Sequence, residues 1–110
     1  MIYTITIRQP DFVTDKLAQE VIKSLQIKKA HALLDIVKFN SLKEGLCVQM
    51  LHLGSYDEEP KTFSIMEDYC TQNNLKRTSK IHREIYISDA RKTQPDKLKT
   101  VLRFKVERTK

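Results

Sequence analysis

Along the opening stretch MIYTITIRQ, Tyr3, Ile5 and Ile7 alternate with Thr4, Thr6 and Arg8. That period of two, rich in β-branched residues, predicts a strand, which Pro10 ends. From Thr14, a residue suited to capping, Leu17, Val21, Ile22 and Leu25 recur at helical spacing. They predict an amphipathic helix to about Ile27, with its Lys and Gln side chains in water. LLDIVKF reads as a strand, SLKEG as a turn closed by Gly45, and LCVQMLHL as the returning strand of a hairpin.

After Gly54 the pattern changes to SYDEEP. Asp57 can cap, Glu58 and Glu59 suit a helix N-terminus, and Pro60 fits a first turn. A helix from Glu58 to about Asn73 is expected, burying Phe63, Met66, Tyr69 and Cys70 and stopping at Asn73-Asn74. A polar loop, the strand IHREIYIS, a loop with one helical turn and the closing strand TVLRFKVE complete the chain. The order β, α, β, β, α, β, β predicts an α+β fold: an antiparallel sheet with two helices on one face, the other face uncovered within the chain.

A length of 110 residues suits a single domain over 1–110. Twenty basic and fourteen acidic residues give a net charge of +6. The basic residues are spread out rather than clustered, and no helix-turn-helix or zinc-finger pattern is present, so direct nucleic-acid binding is not expected. Cys47 and Cys70 lack CxxC spacing and read as free intracellular thiols. Runs such as AHALLDIV are far too short to span a bilayer. A soluble cytoplasmic protein without membrane partners is the expectation.

One stretch carries unusual chemistry. In HREIYISDARK, residues 82–92, strand alternation puts His82, Glu84 and Tyr86 on one face and Arg83, Ile85 and Ile87 on the other. Facing solvent, the first three are ordinary polar decoration. Lining a concavity, they form a carboxylate flanked by an aromatic and a titratable ring, suited to a cationic aromatic ligand or to proton transfer. His52, near the end of LCVQMLHL, has a plainer reading as a partly buried histidine bonded to backbone. His31, His52 and His82 show no HxH or HExxH pairing, so no metal is expected. No GxSxG or other nucleophile motif occurs. Glu58 and Glu59 could pair for acid/base work, but a helix N-terminus explains at least one of them.

The runs LCVQMLHLGSYDEEPKTFSIMEDY and IHREIYISDARKTQPDKLKTVLRFKVE resemble the closing half of GyrI-like small-molecule-binding domains, also called effector-binding domains. That family shows an HxGxYDxEP segment, a helix, an HHEIYLSDPRR-like strand and a KLKTVLR ending, and the opening IRQPDFVT also looks like the start of this half. Ser55, Arg83 and Ala90 depart from the common Pro, His and Pro. The resemblance implies two βαββ-type halves related by a pseudo-twofold axis, with a ligand cleft between them, of which this chain holds the later half.

A homodimer that completes the cleft is therefore expected. The resemblance points Glu84 into the cleft toward a small-molecule ligand, with Tyr86 and Tyr56 as aromatic walls and His52 and His82 nearby; no cofactor is implied. It implies a stand-alone sensor or sequestering module for lipophilic or cationic aromatic molecules. An alternative is hydrolysis of cyclopropane-bearing DNA-alkylating natural products, with Glu84 as general base and Tyr86 or Tyr56 holding the substrate. A second alternative is a protein-interaction module like the gyrase-inhibiting members.

Overall fold

The computed structural model describes residues 4–28 and 36–109. In chain order these hold helix α1 (Asp15–Lys28), strand β1 (Cys47–Leu53), helix α2 (Glu59–Gln72) and strands β2 (Leu75–Arg77), β3 (Arg83–Tyr86) and β4 (Lys99–Arg108), with single 3-10 turns at Tyr56–Glu58 and Pro95–Lys97. The chain divides into two compact units, Met1–Leu42 and Lys43–Lys110. No described helix is long and apolar enough to cross a membrane.

In the first unit, α1 starts where the sequence places it. The Thr14 hydroxyl accepts the Leu17 N–H at 3.1 Å, satisfying one of the free donors of the first turn. Asp15 and Lys28 lie at the ends that the helix dipole favours for their charges. The two strands expected in this unit do not form among the described residues. Residues 4–9 and 37–39 take no strand conformation, and Ile5 and Ile7 are 78% and 80% exposed. Alternation of β-branched residues fits a pleated surface, but only a paired neighbour stabilises it. Residues 1–3 and 33–35 of those two expected strands lie outside the described residues.

In the second unit, β4 is the spine. It pairs antiparallel with β1 along one edge and with β3 and β2, end to end, along the other. Its alternation is carried through: Thr100, Leu102, Phe104 and Val106 are buried on one face. Helix α2 covers that face through Thr62, Met66 and Cys70, spaced four apart. Met66, Cys70, Leu102, Phe104 and Val106 form the core, with Val48, Met50, Phe63 and Leu75 packed around it.

Helix α2 differs from expectation at its start. It begins at Glu59, one residue late, after the 3-10 turn, and no Asp57 side chain caps it. Of the residues expected to be buried, Met66 and Cys70 are, Phe63 is half-buried, and Tyr69 stays 52% exposed instead of joining the core. Asn73 and Asn74 end it as expected: the Asn73 N–H reaches the Tyr69 and Cys70 carbonyls, and Asn74 takes φ +54°. Strand β2 falls where the sequence predicts a polar loop. It forms because Leu75, Lys76 and Arg77 pair with Arg108, Glu107 and Val106, a long-range contact that three residues with two charges do not announce.

Candidate functional site

The register of β3 fixes the direction of its side chains. Glu84 lies opposite Leu102, and Tyr86 opposite Thr100; both partners point into the core. Glu84 and Tyr86 therefore project from the face that α2 covers. Arg83 and Ile85 project from the other, as the alternation requires. There Arg83 and Arg103 both reach Glu44, at 3.3 and 2.9 Å, and Arg103 also bonds Gln49 at 3.0 Å.

The first turn of α2 brings Glu59 to Glu84. Glu59 is only 8% exposed, and its Oε2 has no hydrogen-bond partner. Burial, reinforced by a hydrogen bond and repulsion from Glu84, pushes the Glu59 carboxyl up to about 8. The helix N-terminus acts the other way, but that attraction is worth only about 0.3–1 kcal/mol at a typical site. A shift of one unit already corresponds to about 1.4 kcal/mol, so burial and like charge win. At neutral pH Glu59 keeps its proton and the two carboxyls hold one shared hydrogen bond.

Around this pair stand the rings. Tyr56 and Tyr86 meet edge to face, with centroids 5.9 Å apart and planes at 78°, a favoured aromatic geometry. They are 39% and 61% exposed, so the pair presents ring surface outward. His82 Nε2 is 3.7 Å from Glu84 Oε2, within ion-pair reach when the imidazole is protonated. The His82 ring also packs against Phe63 at 4.8 Å. An open groove of about 350 Å³, lined by Pro60, Phe63, Ser64, Glu67, Arg77 and His82, runs beside the pair. Neither Glu84 nor the tyrosines line it; His82 links the two features. The Arg77 guanidinium lies 4.4 Å from the Phe104 ring centroid and 5.7 Å from that of Phe63, with Glu67 3.4 Å away.

His52 is placed differently from the others. It is 2% exposed, its Nδ1 lies 2.7 Å from the Thr62 hydroxyl and its Nε2 lies 2.7 Å from the Ser55 carbonyl. Both ring nitrogens are engaged within the chain. Among the described residues no group of three or more His, Cys, Asp and Glu could hold a metal ion.

A carboxyl pair beside two tyrosines, behind an HxGxYDxEP segment, coincides with a family match: the GyrI-like small-molecule-binding domain over residues 2–107. The chain belongs to that family. Solved structures extend the likeness. A conserved protein from Listeria innocua, described as uncharacterized, is 38% identical with a TM-score of 0.83, over 91% of this chain and 50% of its own. A hydrolase from the same organism is 36% identical with a TM-score of 0.80, over 91% of this chain and 52% of its own. A further crystal structure of a Listeria innocua hydrolase gives 36% and 0.79, over 91% and 50%. This GyrI-like chain thus spans about half the length of the structures it matches. No curated protein matches it.

Glu59 is the member of the site that the sequence pattern does not single out. A carboxylate before proline at a helix start is explained locally, and its approach to Glu84 depends on how α2 lies over β3. The adjacent Glu58 is the ordinary one: it is exposed and pairs with Lys61 at 2.6 Å.

Proposed function

We propose that the chain binds a lipophilic aromatic small molecule at the Glu84 end of the sheet, acting as a sensor or sequestering module. The observation that carries this is the meeting of Glu59 and Glu84 beside the exposed Tyr56 and Tyr86 rings in a member of a small-molecule-binding family. The pair offers negative charge, a proton and two aromatic walls, which suits a planar cation. His82 stands at the rim, and His52 serves from behind the site.

A second copy of this chain completes the cleft in this reading. Ring surface at Tyr86 remains exposed beside Glu84, and covering it would be favourable. Light scattering across a concentration series should give the mass of a dimer. A monomer at every concentration would remove the second copy from the proposal.

Hydrolysis is a second reading, favoured by the same carboxyls and by two solved neighbours named as hydrolases. Glu84 would take a proton from water as the water oxygen bonds to a ring carbon and the ring C–C bond breaks. Protonated Glu59 would supply a proton to the electron pair so released, and a tyrosine would hold the substrate. Cyclopropane-bearing alkylating compounds are the substrate class to try.

Glu84→Gln separates the readings. Loss of the facing negative charge should weaken a quaternary ammonium dye by about 10- to 100-fold, while a neutral dye of the same ring system keeps its affinity. A hydrolase should instead lose turnover and retain substrate binding. Unchanged affinity for both dyes together with unchanged hydrolysis would take Glu84 out of the site.

A further inference from the structure

His52 is buried at the end of β1, opposite Thr100 in the register. Its two hydrogen bonds fix its tautomer. The Ser55 carbonyl can only accept, so Nε2 must carry the hydrogen, and Nδ1 is left to accept the Thr62 O–H. The two partners bracket the segment from Ser55 to Thr62. Between them lie Tyr56 and Glu59, the two site residues that come from this segment rather than from β3.

Backbone bonds tie the bracketed segment at its beginning. Gly54 takes φ +120°, and its N–H donates to the Leu98 carbonyl at 2.9 Å. The Glu58 N–H donates to the Ser55 carbonyl at 3.1 Å. The imidazole adds a tie of another kind, joining the loop before the 3-10 turn to the helix after it. Thr62 follows Glu59 by three residues, so it sits one turn along the same helix face.

We propose that His52 is a positioning residue: through its two ring nitrogens it pins Ser55 and Thr62 and thereby holds Glu59 against Glu84 and Tyr56 against Tyr86. This deepens the proposed function and rests on it, since the carboxyl pair is the thing positioned. A histidine that only filled the core would matter for stability alone. The clamp instead makes the placement of Glu59 depend on one hydroxyl.

The experiment compares Thr62→Val, Thr62→Ser and His52→Ala with the parent chain. Val keeps the branched shape but removes the donor; Ser keeps the donor. Two NMR readouts need no ligand: long-range nitrogen correlations of the His52 ring, and a carboxyl carbon titration of Glu59. The titratable group that faces Glu59 is Glu84 from β3; Glu58 is turned to Lys61 in solvent.

In the parent and in T62S, Nε2 should be protonated and the Glu59 midpoint should lie near 8. In T62V and H52A the midpoint should fall by on the order of one pH unit or more as Glu59 leaves its seat. Because H52A can fail to fold, T62V carries the test. A T62V midpoint equal to that of the parent would overturn the positioning role. A parent midpoint in the ordinary carboxyl range, with the His52 signature intact, would overturn the carboxyl-pair reading beneath it.

Discussion

Phe104→Ala should lose about 3–5 kcal/mol of stability, read as a fall in the denaturation midpoint. Phe104 is 2% exposed, in the middle of β4, opposite Val48 on β1. Its ring lies nearly parallel to that of Phe63, with centroids 6.4 Å apart and planes at 17°, and the Arg77 guanidinium stands 4.4 Å from its centroid. Truncation therefore removes apolar area, opens a cavity and strips a partly buried cation of its aromatic partner. The core of this unit is small, and domains of this size have only about 5–15 kcal/mol in all. Phe104→Leu keeps most of the volume and should cost markedly less. Equal losses in the two variants would mean that the site collapses around the gap and that the ring contacts contribute little.

How much of this is legible in the chain depends on whether the deciding contact is local. Thr14 and the Leu17, Val21, Leu25 stripe announce α1, and the alternation of Thr100, Leu102, Phe104 and Val106 announces β4, because each pattern is set by the period of one element alone. The opening residues and LLDIVKF have the same kind of pattern, yet their described parts form no strand, since a strand also needs a neighbour. Strand β2 is the converse. Its LKR sequence carries no period, and its ladder comes from the far end of β4. In the site, alternation places Glu84 and Tyr86 on one face, but which face α2 covers is settled only by the register with β4. Glu59 is hidden by its own good local explanation. Nothing in EEP tells which of two adjacent acids turns inward.

That inward turn has a thermodynamic signature, and Glu59→Gln exposes it. The Glu59 carboxyl has a pKa of about 8 in the folded chain against an ordinary value of 4.5. Below 4.5 both folded and unfolded chains hold the proton, so the group adds no pH dependence. As pH rises from there toward 8, the unfolded chain releases the proton and the folded one keeps it, so stability declines across that window. Above 8 the folded chain bears two neighbouring carboxylates, and the full penalty, on the order of 5 kcal/mol, is in place.

Glutamine imitates the protonated acid. Its amide can donate to Glu84 without any charge to desolvate, and all other titrating groups are shared with the parent. The two chains should therefore unfold at similar denaturant concentrations near pH 4, with the variant gaining steadily to on the order of 5 kcal/mol by pH 9. Parallel stability curves would mean that Glu59 is not held against Glu84 at all. A gain of the expected size would show that the fold carries a carboxyl which lowers its stability at neutral pH. Such a cost is common where a group is kept for chemistry or binding rather than for folding. Dye binding by the same variant then tells which. Retained affinity for the quaternary ammonium dye above pH 8, where the parent bears both charges, assigns the second charge no part in binding and leaves Glu59 as a proton carrier. Lost affinity makes both carboxyls part of the recognition of a cation.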